Sequence, residues 1–204
     1  MKEFWNERYS ASEYAYGITP NEFFAGVLAG LKSGKILFPG EGEGRNAVFA
    51  AESGWEVSAF DLSESGKKKA DQLADSRGVS LDYQVGNLSE ITYPAGSFDA
   101  LVLVFAHFPA SLRENFHHKL FTFLKPGGTL ILEGFSKDHL KFSSVNPLAG
   151  GPKDLSMLFS VEELRSDFKE MQILSLEEKE VELKEGLYHS GKSAVIRLVA
   201  RKES

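Results

Sequence analysis

The stretch that most limits what this chain can fold into is Lys35-Ile-Leu-Phe-Pro-Gly-Glu-Gly-Glu-Gly-Arg-Asn-Ala47. Ile36 to Phe38 reads as a short buried strand. It breaks into a loop with glycine at 40, 42 and 44, and the apolar spacing of Ala47, Val48, Ala50 and Ala51 then reads as a helix. Strand, glycine loop and helix in that order open a nucleotide-binding βαβ unit. Glycine lets a backbone pass close to a ligand and accept positive φ without a Cβ clash. The next strand, Trp55 to Phe60, ends in Asp61, about 20 residues past the loop, where an acid can grip ribose hydroxyls.

The loop also bears on which nucleotide. Gly42-Glu-Gly44-Arg-Asn-Ala47 fits the dinucleotide pattern G-x-G-x-x-A, which alone permits NAD. A diphosphate, however, needs bare amides at a positive helix end, and here Glu41 and Glu43 lie in the loop itself. Two carboxylates repel a diphosphate and attract a cation. S-adenosylmethionine offers an adenosine for Asp61 and a sulfonium in place of phosphates, so the acidic loop favours it. A nicotinamide-dependent oxidoreductase is the alternative.

Ile36-Leu-Phe-Pro-Gly-Glu-Gly-Glu-Gly-Arg-Asn46 resembles the first motif of class I S-adenosylmethionine-dependent methyltransferases, and its Gly-Glu-Gly-Arg-Asn core resembles their tellurite-resistance-type branch. Trp5-Asn-Glu-Arg-Tyr9, Tyr16-Gly17 before Pro20, Phe60-Asp61-Leu-Ser63 and Leu124-Lys-Pro-Gly-Gly128 match further pieces in the same order, so the resemblance spans most of the chain. It departs at Phe38, where that family usually carries an acid. The resemblance implies a three-layer, doubly wound Rossmann-like α/β fold, mostly parallel, in one domain over 1–204, with 1–33 as an N-terminal lid and helix and 34–204 as the core. It implies cofactor contacts from Gly40, Glu41, Gly42, Gly44, Arg45, Asn46, Asp61, Leu62, Asn87, Leu88 and Phe105. Arg8, on a lid, would pair with the ligand carboxylate.

The rest of the chain suits that frame. At 204 residues it is long enough for a full doubly wound sheet, and a net charge of −6 gives no broad attraction to nucleic acid or an anionic membrane. Without cysteine there are no disulfides or zinc–thiolate sites, and no run reaches membrane-spanning length; a cytoplasmic enzyme is the plain expectation. The segment 1–19 is aromatic-rich and aperiodic: either a lid over the cofactor or an arm packing on the body. Thr19-Pro-Asn-Glu22 reads as a capping box opening a helix through Leu31. Ser63 and Gly78 bound the next helix, whose Lys67-Lys-Lys69 run reads as a solvated face. Asn87 follows the third strand and either reads an adenine edge or makes a turn.

Ala100 to Phe105 is a continuous apolar run, a central strand buried on both faces. It ends in Ala106-His107, at the sheet edge where such folds place ligands, so His107 is the candidate base; a hydrogen-bonded rim residue is the other reading. His117 and His118 are adjacent and point apart on a helix, and no histidine pair has metal-ligand spacing. Residues 136–158 form a long loop of the length that serves as a lid, faces substrate or packs onto the domain, Ser160-Val-Glu-Glu163 a second capping box, and the alternation of 171–183 and 194–200 a closing β-hairpin. The expected chemistry is methyl transfer to a small-molecule acceptor by in-line attack, or else S-adenosylmethionine binding without turnover. The acceptor and the oligomeric state do not follow from these residues.

Overall fold

A computed structural model describes residues 1–203. Seven strands form a single sheet in the order β3-β2-β1-β4-β5-β7-β6, where β1 is Lys35–Pro39, β2 Glu56–Asp61, β3 Asp82–Val85, β4 Phe98–Val104, β5 Leu124–Phe135, β6 Met171–Glu185 and β7 His189–Lys202. The first five run parallel; β7 pairs antiparallel with both β5 and β6. This is the Rossmann-like architecture with a C-terminal antiparallel hairpin that the sequence implies.

Strand β4 shows why the sheet needs helices on both sides. Leu101 and Leu103 pack into one core with Leu120 and Phe123 of α5 (Ala110–Phe123) and Leu164 of α7 (Val161–Asp167). Ala100 and Val102 face the other core with Phe24 and Leu28 of α2 (Glu22–Leu28) and Ala47 and Ala50 of α3 (Arg45–Glu52). Both faces of a continuous apolar strand are thereby removed from water. The chain order reverses between β1 and β4, so a crevice opens beyond the carboxyl ends of these strands.

Several local expectations hold to the residue. Ser63 caps α4 (Glu64–Arg77) through the Gly66 amide, and Gly78 ends it in the left-handed region. Ser160 and Glu163 form the reciprocal capping box of α7. Others are corrected. The first helix, α1 (Lys2–Arg8), lies in a segment without apolar period, because its partners are α4 residues far along the chain: Asn6 accepts from the Ser63 hydroxyl and the Ser65 amide. Asn21, not Thr19, caps α2, by accepting from the Phe24 amide, and α2 stops at Leu28. Within the long loop, α6 (Leu140–Ser143) and three short 3₁₀ turns break up what reads as irregular chain.

Candidate active site

The glycine loop joins β1 to α3 with Gly40, Gly42 and Gly44 all at positive φ. Each bend has its own physical reason. A Cβ on Gly44 would sit 2.6 Å from the Ala70 Cβ, so that glycine serves the packing of α3 on α4. One on Gly42 would sit 2.6 Å from the Tyr9 hydroxyl. Tyr83 on β3 donates its hydroxyl to the Gly42 carbonyl at 2.7 Å and fastens the loop from the sheet side.

Asp61 ends β2 facing this loop. Its Oδ2 accepts from the Gly42 amide at 3.0 Å and its Oδ1 from the Ser63 amide at 2.9 Å, which fixes the carboxylate plane and leaves acceptor sites on both oxygens. Burial pushes its pKa up to about 6 against the pull of those amides. Glu41 is held in a related way. Its Oε1 accepts from the Asn46 and Ala47 amides at 2.9 and 2.8 Å, and burial raises it to about 7. The first amides of α3, which a diphosphate would need, are therefore already taken by a carboxylate.

Glu43 departs from expectation. It is buried, paired with Lys69 at 2.8 Å, and accepts from the Ala15 and Tyr16 amides of the N-terminal arm. Its charge is neutralised internally, so the acidity of the crevice rests on Glu41 and Asp61. Arg45 and Asn46 are likewise engaged within the fold: Arg45 pairs with Glu185 at 2.8 Å, and the Asn46 side-chain oxygen accepts from the Asn21 backbone N–H. Both side chains, like the backbone of Gly44, are thereby committed to contacts within the fold.

The remaining candidates divide. Asn87 is exposed and caps its own turn by accepting from the Ser89 amide; the turn is tied to β2 by Gly86 N–H donating to the Asp61 carbonyl. Leu88 is buried in the core beside α5, while Leu62 follows Asp61 half-buried. Phe105, just past β4, is the one non-glycine residue at positive φ among the described residues, 53°, and its ring packs on Phe135 and His189. Such strain persists only where the surroundings enforce it. Arg8 lies 3.8 Å over the Tyr188 ring and donates to the Tyr16 hydroxyl, with no carboxylate partner among the described residues. The arm packs its aromatics on the body, with Tyr9 against Gly42 of the glycine loop and Tyr16 against His189.

His107 is corrected. Its Nδ1 bonds the Met157 carbonyl at 2.8 Å, its Nε2 accepts from the Phe135 amide at 3.0 Å, and its ring stacks on Phe159. Both nitrogens are committed, and burial lowers its pKa to about 4. It ties the long loop to β5 and has no lone pair left for an acceptor.

Sequence reasoning overlooked Glu185 and His189, which face each other across the turn of the β6–β7 hairpin. Glu185 accepts from Arg45, from Asn21 at 2.9 Å and from His189 at 3.4 Å. Burial opposes its charge, but the His189 and Arg45 contacts prevail and bring it down to about 2. The available signal was Glu185-Gly-Leu-Tyr-His189: two chemically active side chains flanking a glycine turn.

Residues 36–128 match the family described as "Methyltransferase domain". The sterol 24-C-methyltransferase ERG6A of Gibberella zeae is 26% identical over 149 residues, which are 68% of this chain and 39% of that protein. The chain thus spans well under half of that curated relative. Among solved structures, that of an enzyme converting a disulfide bond into a thioacetal group during echinomycin biosynthesis superposes with a TM-score of 0.81 at 20% identity, over 100% of this chain and 92% of that one. A SAM-dependent methyltransferase of Methanosarcina mazei gives 0.67 at 22%, over 87% and 96%. TehB of Haemophilus influenzae gives 0.72 at 16%, over 99% and 67%. At these identities the superpositions speak for the fold. Among the described residues no group of side chains could hold a metal ion, and no helix is long and apolar enough to cross a membrane.

Proposed function

We infer that this chain is a class I S-adenosylmethionine-dependent methyltransferase acting on a small-molecule acceptor. The observation that carries this reading is the Glu41 carboxylate seated on the first amides of α3. It closes the anion site on which a dinucleotide depends and puts negative charge beside the crevice, which suits a sulfonium. The matching family and the Rossmann-like sheet support the same reading.

The residues present fit the cofactor. Asp61 is oriented by two amides yet under-satisfied, and a ribose diol offers two donors to it. The Gly40 to Gly42 backbone permits close approach, Asn87 and the Leu88 amide border the adenine side, and Arg8 with Tyr16 offers a cation and a hydroxyl to the amino-acid carboxylate. The bound cofactor supplies an electrophilic methyl group. The chain supplies position: the arm, the hairpin and the end of β4 hold the acceptor in line and keep water out, where effective molarity is worth about 7–11 kcal/mol. Membership of the tellurite-resistance-type branch is part of the proposal, supported by the loop motif and by the extent of the TehB superposition.

Calorimetric titration with S-adenosylmethionine, S-adenosylhomocysteine and NAD tests this. The adenosyl ligands should bind and NAD should give no heat; heat with NAD alone defeats the reading. Asp61→Ala removes charge-assisted bonds of about 1.5–3 kcal/mol, so adenosyl affinity should fall roughly 10- to 150-fold. Binding without methylation of any acceptor screened would point to a module that has kept the pocket and lost turnover.

A further inference from the structure

The β6–β7 hairpin extends beyond the end of β5: Phe135 pairs with Val195, and β7 begins six residues earlier, at His189. This overhang lies across the carboxyl edge of the sheet. His189 sits inside it, 6% exposed, with ring centroids 4.4 Å from Tyr16 of the arm and 4.4 Å from Phe105 at the end of β4. It touches both walls of the crevice and, through Glu185 and Arg45, the first residue of α3.

Two observations make this more than packing. Glu185 lies on the Nδ1 side, so that nitrogen carries the proton and Nε2 carries a lone pair. Among the described residues Nε2 has no partner, yet it is not one of the sealed, unpartnered side-chain atoms, which are His117 Nε2, Ser136 Oγ and Ser143 Oγ. His107, by contrast, spends both nitrogens on backbone. A histidine oriented by a carboxylate, with its other nitrogen unpartnered and not sealed off, has the arrangement of a general base.

Resting on the methyltransferase reading, we propose that His189, oriented by Glu185, accepts the proton of the methyl acceptor, and that this acceptor is a neutral thiol or hydroxyl entering beneath the hairpin. The proton passes from the acceptor S–H or O–H to Nε2. The freed electron pair forms the new bond to the methyl carbon, and the bond from that carbon to the donor sulfur breaks with its pair going to sulfur. The imidazolium, stabilised by Glu185, then returns its proton to water. The groups facing His189 are Glu185 on β6, Arg45 on α3, Tyr16 on the arm, Tyr188 in the turn with Arg8 over it, and His139 and His107 from the β5 and β4 ends. Burial, with Arg45 beside it, holds His189 down to about 4 against the pull of Glu185, so Nε2 is unprotonated across the neutral pH range.

Two measurements test this. In ¹⁵N-labelled protein at pH 7, His189 should show a protonated Nδ1 and an unprotonated Nε2, and Glu185→Gln should erode that preference. A protonated Nε2 in the wild type overturns the proposal without reference to activity. Second, methyl transfer to 2-mercaptoethanol and to phenol is followed from pH 6.5 to 8.5. The wild type should be nearly flat. His189→Gln, checked for fold by circular dichroism and for intact S-adenosylhomocysteine binding, should lose at least about 100-fold at pH 7 and then gain about tenfold per pH unit as only pre-ionised acceptor reacts. A wild type that climbs like the variant, a variant within threefold of wild type, or intact adenosyl binding with neither probe methylated overturns it. Failure of the wild type to bind S-adenosylhomocysteine would instead defeat the methyltransferase reading, leaving the tautomer measurement to decide on His189.

Discussion

Single residues here carry obligations that their types alone do not disclose. Gly44 and Gly78 both have positive φ, 88° and 69°. A Cβ at Gly44 meets Ala70 at 2.6 Å, with its backbone Cα at 2.8 Å, whereas one at Gly78 meets nothing within 4 Å. Gly44→Ala should therefore cost about 2–4 kcal/mol, strain plus overpacking, and Gly78→Ala only about 1 kcal/mol, strain alone. Urea unfolding of the two variants separates these contributions; equal losses would mean that α4 moves aside freely. Glu43 is the residue whose neighbours most change its meaning. In sequence it is a loop acid beside a ligand; in the fold it is half of a buried pair that also holds two arm amides.

That pair makes the N-terminal arm an element dependent on α4. Lys69 bonds both Glu43 and the Glu13 carbonyl, so one ammonium joins α4, the glycine loop and the arm. Lys69→Met leaves Glu43 buried without its counter-charge, which should destabilise by about 3–5 kcal/mol. Glu43→Gln in the same background should restore part of that loss and keep an acceptor for the Ala15 amide. Limited proteolysis should cut the arm within residues 10–18 of the single variant first; protection equal to wild type would show that the aromatic contacts of Tyr9 and Tyr16 suffice. Elements of this kind explain what was legible beforehand. The glycine loop, the Ser63 and Ser160 caps and the β4 run are specified by residues within one or two turns of each other, so periodicity and capping reveal them, and Asp61 follows from its fixed spacing after the loop. The α1 helix, the role of His107 and the Glu185–His189 pair depend on partners from 28 to 164 residues away, and a single sequence does not pair them.

At the scale of the whole molecule, buried histidines and buried acids oppose one another in their response to pH. His107, His117, His139 and His189 are held below their ordinary value, chiefly by burial. The unfolded chain binds their protons near pH 6.5 while the fold refuses them, so their contribution is complete above pH 6.5 and is lost as pH falls toward 4. Glu41, Asp61 and Glu133 are raised by burial. There the fold keeps protons that the unfolded chain has released, so stability is lost as pH rises from about 4.5 toward 7. Between pH 4.5 and 6.5 the imidazoles and the carboxyls therefore act on stability in opposite directions. Wild-type stability should then respond to acidification less than either set of groups alone would make it. The double variant Glu41→Gln, Asp61→Asn removes two of the opposing acids and should lose stability more steeply than wild type on acidification, read from urea midpoints at pH 7, 6 and 5. Parallel curves would mean that these carboxyls are ordinary in the fold. On the proposed reading the same two acids link pH to the cofactor. A carboxylate that receives ribose hydroxyls and faces a sulfonium must be ionised, so S-adenosylmethionine affinity should strengthen between pH 5.5 and 7.5. Titration in buffers of different ionisation enthalpy should register proton release on binding. Proton uptake, or affinity flat across that range, would remove Glu41 and Asp61 from the binding site and with them the argument against a diphosphate.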